Sequence, residues 1–258
     1  MSNMNDVNDL FEEAVEDGLD EQASQIMVAN LDAVALAGCQ GTEIDLIPED
    51  EVTLVSVIHD GSGSMSGARD VVVQSYEGLL DALRNSKKAE SIFISDWIFN
   101  TQSDLVHDYL PVEQAPDLGN SYFPGGGTAL YDTVMKGLSG IVAYGQQLRS
   151  NGVRTKNVVV VFSDGEDNSS GVTNTEVKKV TKALLAQETF ILAYVGFTTY
   201  GMMNEAEVQR LAGEIGFNDV IAVGTSPSEI RKIFQQVSDS IIQVSQSAVS
   251  SGGFFAAP

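Results

Sequence analysis

Apolar residues fall along this chain in two rhythms that alternate from residue 52 onward. Val52-Thr53-Leu54-Val55-Ser56-Val57-Ile58-His59 and Val158-Val159-Val160-Val161-Phe162 are continuous runs rich in β-branched residues, the pattern of strands buried on both faces. Thr189–Val195 and the short Val220-Ile221-Ala222-Val223 read the same way. Ile92-Phe93-Ile94 and Trp97-Ile98-Phe99 predict one more strand, and a turn at Asn100–Ser103 sends it back into a partner around Leu105–Leu110. That hairpin is expected to form an antiparallel edge. In the intervening segments apolar residues recur three or four positions apart, as in Val72, Tyr76, Leu79, Leu80 and Leu83 of a helix predicted over 67–83. Helices are likewise expected over 129–148, 176–187 and 205–213. A last one begins near Ser226, where Pro227 suits the first helical position and Ile230, Ile233, Phe234, Val237, Ile241 and Val244 share a face. Repeated strand–helix–strand order predicts an α/β fold with a mainly parallel sheet, right-handed crossovers and helices on both faces. In such sheets ligands bind beyond the carboxyl ends of the strands.

The two ends differ from this core. Residues 1–51 are expected to form an acidic helical extension with two short amphipathic helices. Val7, Leu10, Phe11, Ala14 and Val15 mark the first, which stops at Gly18; Ala23, Ile26, Met27, Leu31 and Val34 mark the second, which runs from an Asp20 cap to Gly38. The main domain spans 52–247. A Ser/Gly-rich tail, 248–258, carries Phe254-Phe255.

Charge sharpens this division. The net charge is −22, and the first 51 residues hold fourteen acidic side chains with no Lys or Arg. Such a surface disfavours nucleic acid and anionic membranes, whose recognition relies on Lys and Arg. It favours cations or a basic protein partner for the 1–51 segment. No apolar run approaches the roughly 18–20 residues that span a bilayer, and no basic, apolar leader pattern opens the chain. Cys39 is the single cysteine, so no intrachain disulfide forms and a reducing cytoplasm is the expected compartment.

Candidate chemistry sits where the buried runs end. Asp60-Gly61-Ser62-Gly63-Ser64 follows the first strand, Ser163-Asp164-Gly165 follows Val158–Phe162, and Pro124-Gly125-Gly126-Gly127-Thr128 opens the intervening helix. Each taken alone is an ordinary turn or helix cap. Together they bring two carboxylates and three hydroxyls to one sheet edge, hard oxygen donors suited to a small divalent cation. His59 and His107 are poor competitors: the first is expected to face the core and the second to lie on the edge hairpin.

This combination resembles the von Willebrand factor A (vWA) family and its metal-ion-dependent adhesion site, whose pattern is Asp-x-Ser-x-Ser, a distant Thr and a distant Asp. Asp60, Ser62 and Ser64 match the first part, Thr128 the second and Asp164 the third, over roughly residues 52–247. Within the family, intracellular bacterial proteins of the tellurite-resistance-associated type are the nearest likeness, through the Gly-Gly-Gly-Thr loop and the Ser-rich final helix. The resemblance implies a Rossmann-like, doubly wound six-stranded sheet with one antiparallel edge strand. It further implies Mg²⁺, with Mn²⁺ or Ca²⁺ as alternatives, held by the five residues and open to an Asp or Glu carboxylate of a partner protein. Specificity is then expected from a rim of Tyr122, Phe123, Tyr200, Met202 and Met203.

Such a chain is read as an intracellular, non-enzymatic adaptor. One alternative is a structural subunit of a larger assembly, such as a phage or multiprotein particle, or a homo-oligomer. A second is a Mg²⁺-dependent phosphotransfer enzyme with Asp60 as nucleophile. That reading is weakened by Ser62 where a second Asp would be needed, and by the absence of Gly-x-Ser-x-Gly and of a phosphate-binding Gly-x-x-x-x-Gly-Lys-Ser/Thr loop.

Overall fold

The computed structural model describes residues 4–198, 203–246 and 253–255. Six strands form one sheet: β1 (Glu51–Asp60), β2 (Ile92–Phe99), β3 (Ser103–Pro111), β4 (Arg154–Ser163), β5 (Phe190–Thr198) and β6 (Asp219–Gly224). Their order is β3-β2-β1-β4-β5-β6; every pairing is parallel except β2 with β3. The mainly parallel sheet with one antiparallel edge strand therefore agrees with the expectation from the sequence.

The strand runs are buried because both faces are covered. On one face lie α4 (Arg69–Arg84) and α8 (Pro227–Gln246), which meet Val55, Val57, Ile94, Val160 and Val195. On the other lie α5 (Leu130–Ser150), α6 (Asn174–Leu185) and α7 (Glu205–Glu214), against Leu54, Ile58, Val159, Val161 and Leu192. Successive strand residues alternate between these cores, as a pleat of period two requires. Helix starts follow local chemistry. Thr173 and Glu176 close a capping box on α6, and Asn204 and Glu207 close another on α7.

At the front, α1 (Met4–Glu16), α2 (Glu21–Ala29) and α3 (Ala33–Gly38) pack beside α5, with Val7, Phe11, Ala23 and Met27 fully buried. The expected second helix over 20–38 is thus two helices. The cause is Asp32, whose Oδ1 accepts the backbone N–H groups of Val34 and Ala35 at 3.0 and 2.8 Å and starts a new helix. Its Oδ2 pairs with Lys136 Nζ of α5 at 2.8 Å, docking the extension on the domain. At the other end Phe254 is buried against the α8 face, its N–H donating to Asp219 Oδ1 at 2.6 Å, while Gln236 Nε2 donates to the Phe255 carbonyl.

Strand order reverses between β1 and β4, the neighbouring central strands whose connections run to opposite sides of the sheet. Asp60 closes β1 and Ser163 closes β4, so the candidate residues gather at this switch point.

Candidate functional site

Asp60 is 1% exposed and held from two strands. Its Oδ1 accepts the Ser62 backbone N–H at 2.8 Å, the tight turn expected of Asp before Gly. Its Oδ2 accepts Ser163 Oγ at 2.6 Å and, more weakly, the Asp164 N–H at 3.4 Å. Beyond it runs a chain of hydroxyls. Ser64 Oγ donates to Asp164 Oδ1 at 2.7 Å, and Ser62 and Ser64 oxygens lie 2.8 Å apart. Since Ser64 has one proton and gives it to the carboxylate, Ser62 is the donor to Ser64. Asp60, Ser62, Ser64 and Asp164 thus form one network, although a hundred residues separate its two halves.

Thr128 reaches the same place by a different device. Its loop lies over the first turn: Gly125 N–H donates to the Gly61 carbonyl at 2.8 Å and Gly63 N–H to the Gly126 carbonyl at 3.3 Å. Gly126 takes φ +80, and a side chain there would also meet Thr101 Oγ1. The segment after Asp164 then caps α5 from outside. Asn168 Oδ1 accepts the Thr128 N–H at 2.9 Å, Asp167 Oδ1 the Tyr131 N–H and Ser170 Oγ the Asp132 N–H. These are backbone donors that the start of a helix leaves without intrahelical partners. The Thr128 carbonyl in turn accepts from Asn168 and Ser169. Thr128 is thereby fixed beside Gly165, its Oγ1 4.0 Å from where a Gly165 side chain would begin.

Two buried carboxylates this close disfavour one another's ionisation. Burial, with the Asp60 charge second, pushes Asp164 up to about 6 against the hydrogen bond from Ser64. Asp60 is also raised by burial, partly offset by the Ser163 and Ser62 hydrogen bonds. A cation placed between them would reverse this pressure. Among the described residues no group of three or more His, Cys, Asp or Glu side chains gathers to bind a metal. The donor set here is instead two carboxylates with hydroxyls, which fits a hard cation that keeps water ligands and does not fit a thiolate or imidazole metal.

The rim is less uniform than expected. Tyr122 is wholly buried, and its hydroxyl donates to the Asp60 carbonyl beneath the site. It is a support and not a rim residue, since its phenol finds an acceptor only below the loop. Phe123 is 66% exposed beside the mouth, with the Arg69 guanidinium 5.2 Å from its ring centre. Arg69 also donates to the carbonyls of Tyr122 and Gly119 at 3.0 Å each, pinning this loop. Met203 is 7% exposed and packs in the core on the α5–α7 side, which argues against a rim role. Tyr200 and Met202 lie outside the described residues. Sequence reasoning missed Ser163, Asn168 and Arg69; Ser163, directly before Asp164 at the strand end, carried a readable signal, whereas the others act through folded loops.

His59 faces the α4–α8 core, stacked 5.6 Å from Phe162 with Nε2 3.0 Å from Asp96 Oδ1, and His107 lies on β3. Neither reaches the site.

No protein-family profile and no curated protein matches the chain. Solved structures do match in shape. The pilus adhesin SpaC from Lactobacillus rhamnosus GG, in an open conformation, aligns with a TM-score of 0.59 at 13% identity, over 75% of this chain and 30% of that one. The PilB minor pilin from Streptococcus sanguinis aligns with a TM-score of 0.51 at 14% identity, over 82% of this chain and 64% of its own length. The chain therefore spans under two thirds of either structure, and the likeness concerns the fold.

Proposed function

We propose that this chain is a vWA-type binding domain whose Asp60, Ser62, Ser64, Thr128 and Asp164 hold Mg²⁺ and through it capture an Asp or Glu carboxylate of a partner protein. The observation that carries the reading is the hydrogen-bonded path from Ser62 through Ser64 to Asp164, with Asp60 and Thr128 fixed around it. Neutral hydroxyls leave a bound divalent ion electrophilic, so it would draw in an anionic ligand from outside the chain. Asp60 and Asp164, each already committed to hydrogen bonds, suit the balancing of charge and the orientation of neighbouring ligands. Phe123 and Arg69 at the mouth would contact the partner beside its carboxylate.

A binding role is favoured over catalysis because, among the described residues, no general base besides the two carboxylates stands near. His59 is enclosed on the other side of β1, and the described residues assemble no nucleophile–base–orienter set at the site. The assembly-subunit reading draws only on the printed identities of the structural neighbours as a pilin and a pilus adhesin, and identities of 13–14% support fold and not role. Among the described residues no helix is long and apolar enough to cross a membrane. A cytoplasmic, adaptor-like role of the tellurite-resistance-associated kind remains part of the proposal and rests on the single buried cysteine and the sequence resemblance.

The test is affinity capture from a cell extract on the immobilised chain in Mg²⁺ and in chelator, repeated with Asp60→Ala and Thr128→Ala. A partner retained only by wild type in Mg²⁺ supports the reading. Identical retention in chelator overturns it.

A further inference from the structure

A second surface lies far from the proposed metal site in sequence and carries its own chemistry. Between α1 and α2 runs a groove of about 480 Å³. Its lining follows helix periodicity on both walls. Asn8, Phe11, Glu12, Val15 and Glu16 form one face of α1, at i, i+3, i+4, i+7 and i+8, and Glu21, Ser24, Gln25 and Val28 form one face of α2. The floor is apolar, built by buried Phe11 with half-buried Val15 and Val28. The edges are acidic: Glu12, Glu16 and Glu21 are exposed and, among the described residues, none is in an ion pair, Glu21 accepting only a bond from Gln25.

Charge indicates what the groove would accept. The first 51 residues hold fourteen acidic side chains and no Lys or Arg, so within this segment no cation neutralises the edges. An apolar floor between anionic edges is complementary to an amphipathic helix with apolar residues on one face and Lys or Arg flanking them.

We propose that the α1–α2 groove is a docking site for a basic amphipathic helix of a partner protein, separate from the carboxylate-binding site. A second copy of this chain is a poorer occupant. Its cationic α6 face, with Lys178, Lys179 and Lys182, could meet the acidic edges, but the apolar residues of α6 (Val177, Val180 and Leu184) are buried in its own core and cannot fill the floor. Lys178 is moreover occupied with the Gly213 carbonyl.

The test uses the full chain and two fluorescent peptides of identical Lys/Leu composition, each about eighteen residues, one with Leu on a single helical face and the other scrambled. Anisotropy is read at about 0.15 M salt, where unspecific attraction is screened beyond roughly 8 Å. The amphipathic peptide is expected to bind at least about tenfold more tightly than the scrambled one, because only it fills the floor. Val15→Arg, which blocks the floor from a half-exposed position, should abolish that difference. The combined Glu12→Gln, Glu16→Gln and Glu21→Gln variant should weaken both peptides. Circular dichroism verifies that the variants remain folded. Asp60→Ala should bind the peptide unchanged, so failure of the metal-site reading leaves this result standing. Equal affinity for the two peptides, no affinity for either, or an unchanged preference in Val15→Arg overturns the proposal. So does a self-association of the chain that Val15→Arg removes, since the occupant would then be a second copy.

Discussion

Ser64 Oγ donates a 2.7 Å hydrogen bond to Asp164 Oδ1, joining the turn after β1 to the turn after β4 across a hundred residues of sequence. A hydroxyl on one loop thus satisfies a carboxylate on another. To turn toward a cation the two groups would exchange this bond for a metal contact, while Ser64 Oγ could keep the hydrogen bond it accepts from Ser62.

Replacing Asp164 by Asn separates metal binding from stability. Burial first, and the Asp60 charge second, disfavour the ionised Asp164 carboxylate, and burial raises Asp60 as well. The variant is therefore expected to be more stable than wild type without metal, on the order of 1 kcal/mol, while losing stabilisation by Mg²⁺. Thermal melts with and without Mg²⁺ check both halves, and a variant that is less stable in chelator would contradict the electrostatic account.

The pH dependence has a definite sign. Asp164 is raised to about 6 by burial and by Asp60, above its ordinary value of 3.8. The folded state therefore holds a proton that the unfolded state releases between about pH 4 and 6. Stability from this group is present below that range and is lost as pH rises through it. Mg²⁺ must displace the same proton, so its stabilising effect should grow from pH 5 to pH 7.5. Melting curves across that range in chelator and in Mg²⁺ should diverge as pH rises; parallel curves would count against it.

Tyr122 and Phe123, adjacent in sequence, should behave oppositely. Tyr122→Phe leaves the Asp60 carbonyl without its hydroxyl donor and is expected to cost about 1 kcal/mol of stability and several-fold in Mg²⁺ affinity. Phe123→Ala removes an exposed ring that supports nothing in the core and should leave the melting temperature unchanged while weakening partner capture. Denaturant unfolding together with the capture assay distinguishes them.

Gly126→Ala should destabilise by roughly 1–2 kcal/mol, because its φ of +80 and the nearby Thr101 hydroxyl leave no comfortable place for a methyl group. The loss should be accompanied by weaker Mg²⁺ binding, since this loop carries Thr128. An unperturbed variant would mean that the loop is not held as described.

Much of this was legible in the sequence for a simple physical reason. Strands such as Val158–Phe162 lie between two cores and must be apolar throughout, and the residues that follow them must emerge at the sheet edge. The positions of Asp60 and Asp164 follow from that alone. Thr128 was readable as the polar residue after three glycines. What fixes it was not, because Asn168, Asp167 and Ser170 cap α5 from a loop about forty residues away in sequence. Tyr122 misled for a related reason: a loop aromatic beside an exposed one carries no local mark of which ring turns inward. Asp32 divided an apparently continuous apolar stripe because a cap depends on one side chain and not on periodicity.

The central claim is tested most directly by calorimetric titration of Mg²⁺ into the chelator-stripped chain at pH 7.5, beside Asp60→Ala and Thr128→Ala. One saturable site is expected in wild type and none in either variant, with all three folded. Equal heats in all three, or no saturable binding by wild type, would contradict it.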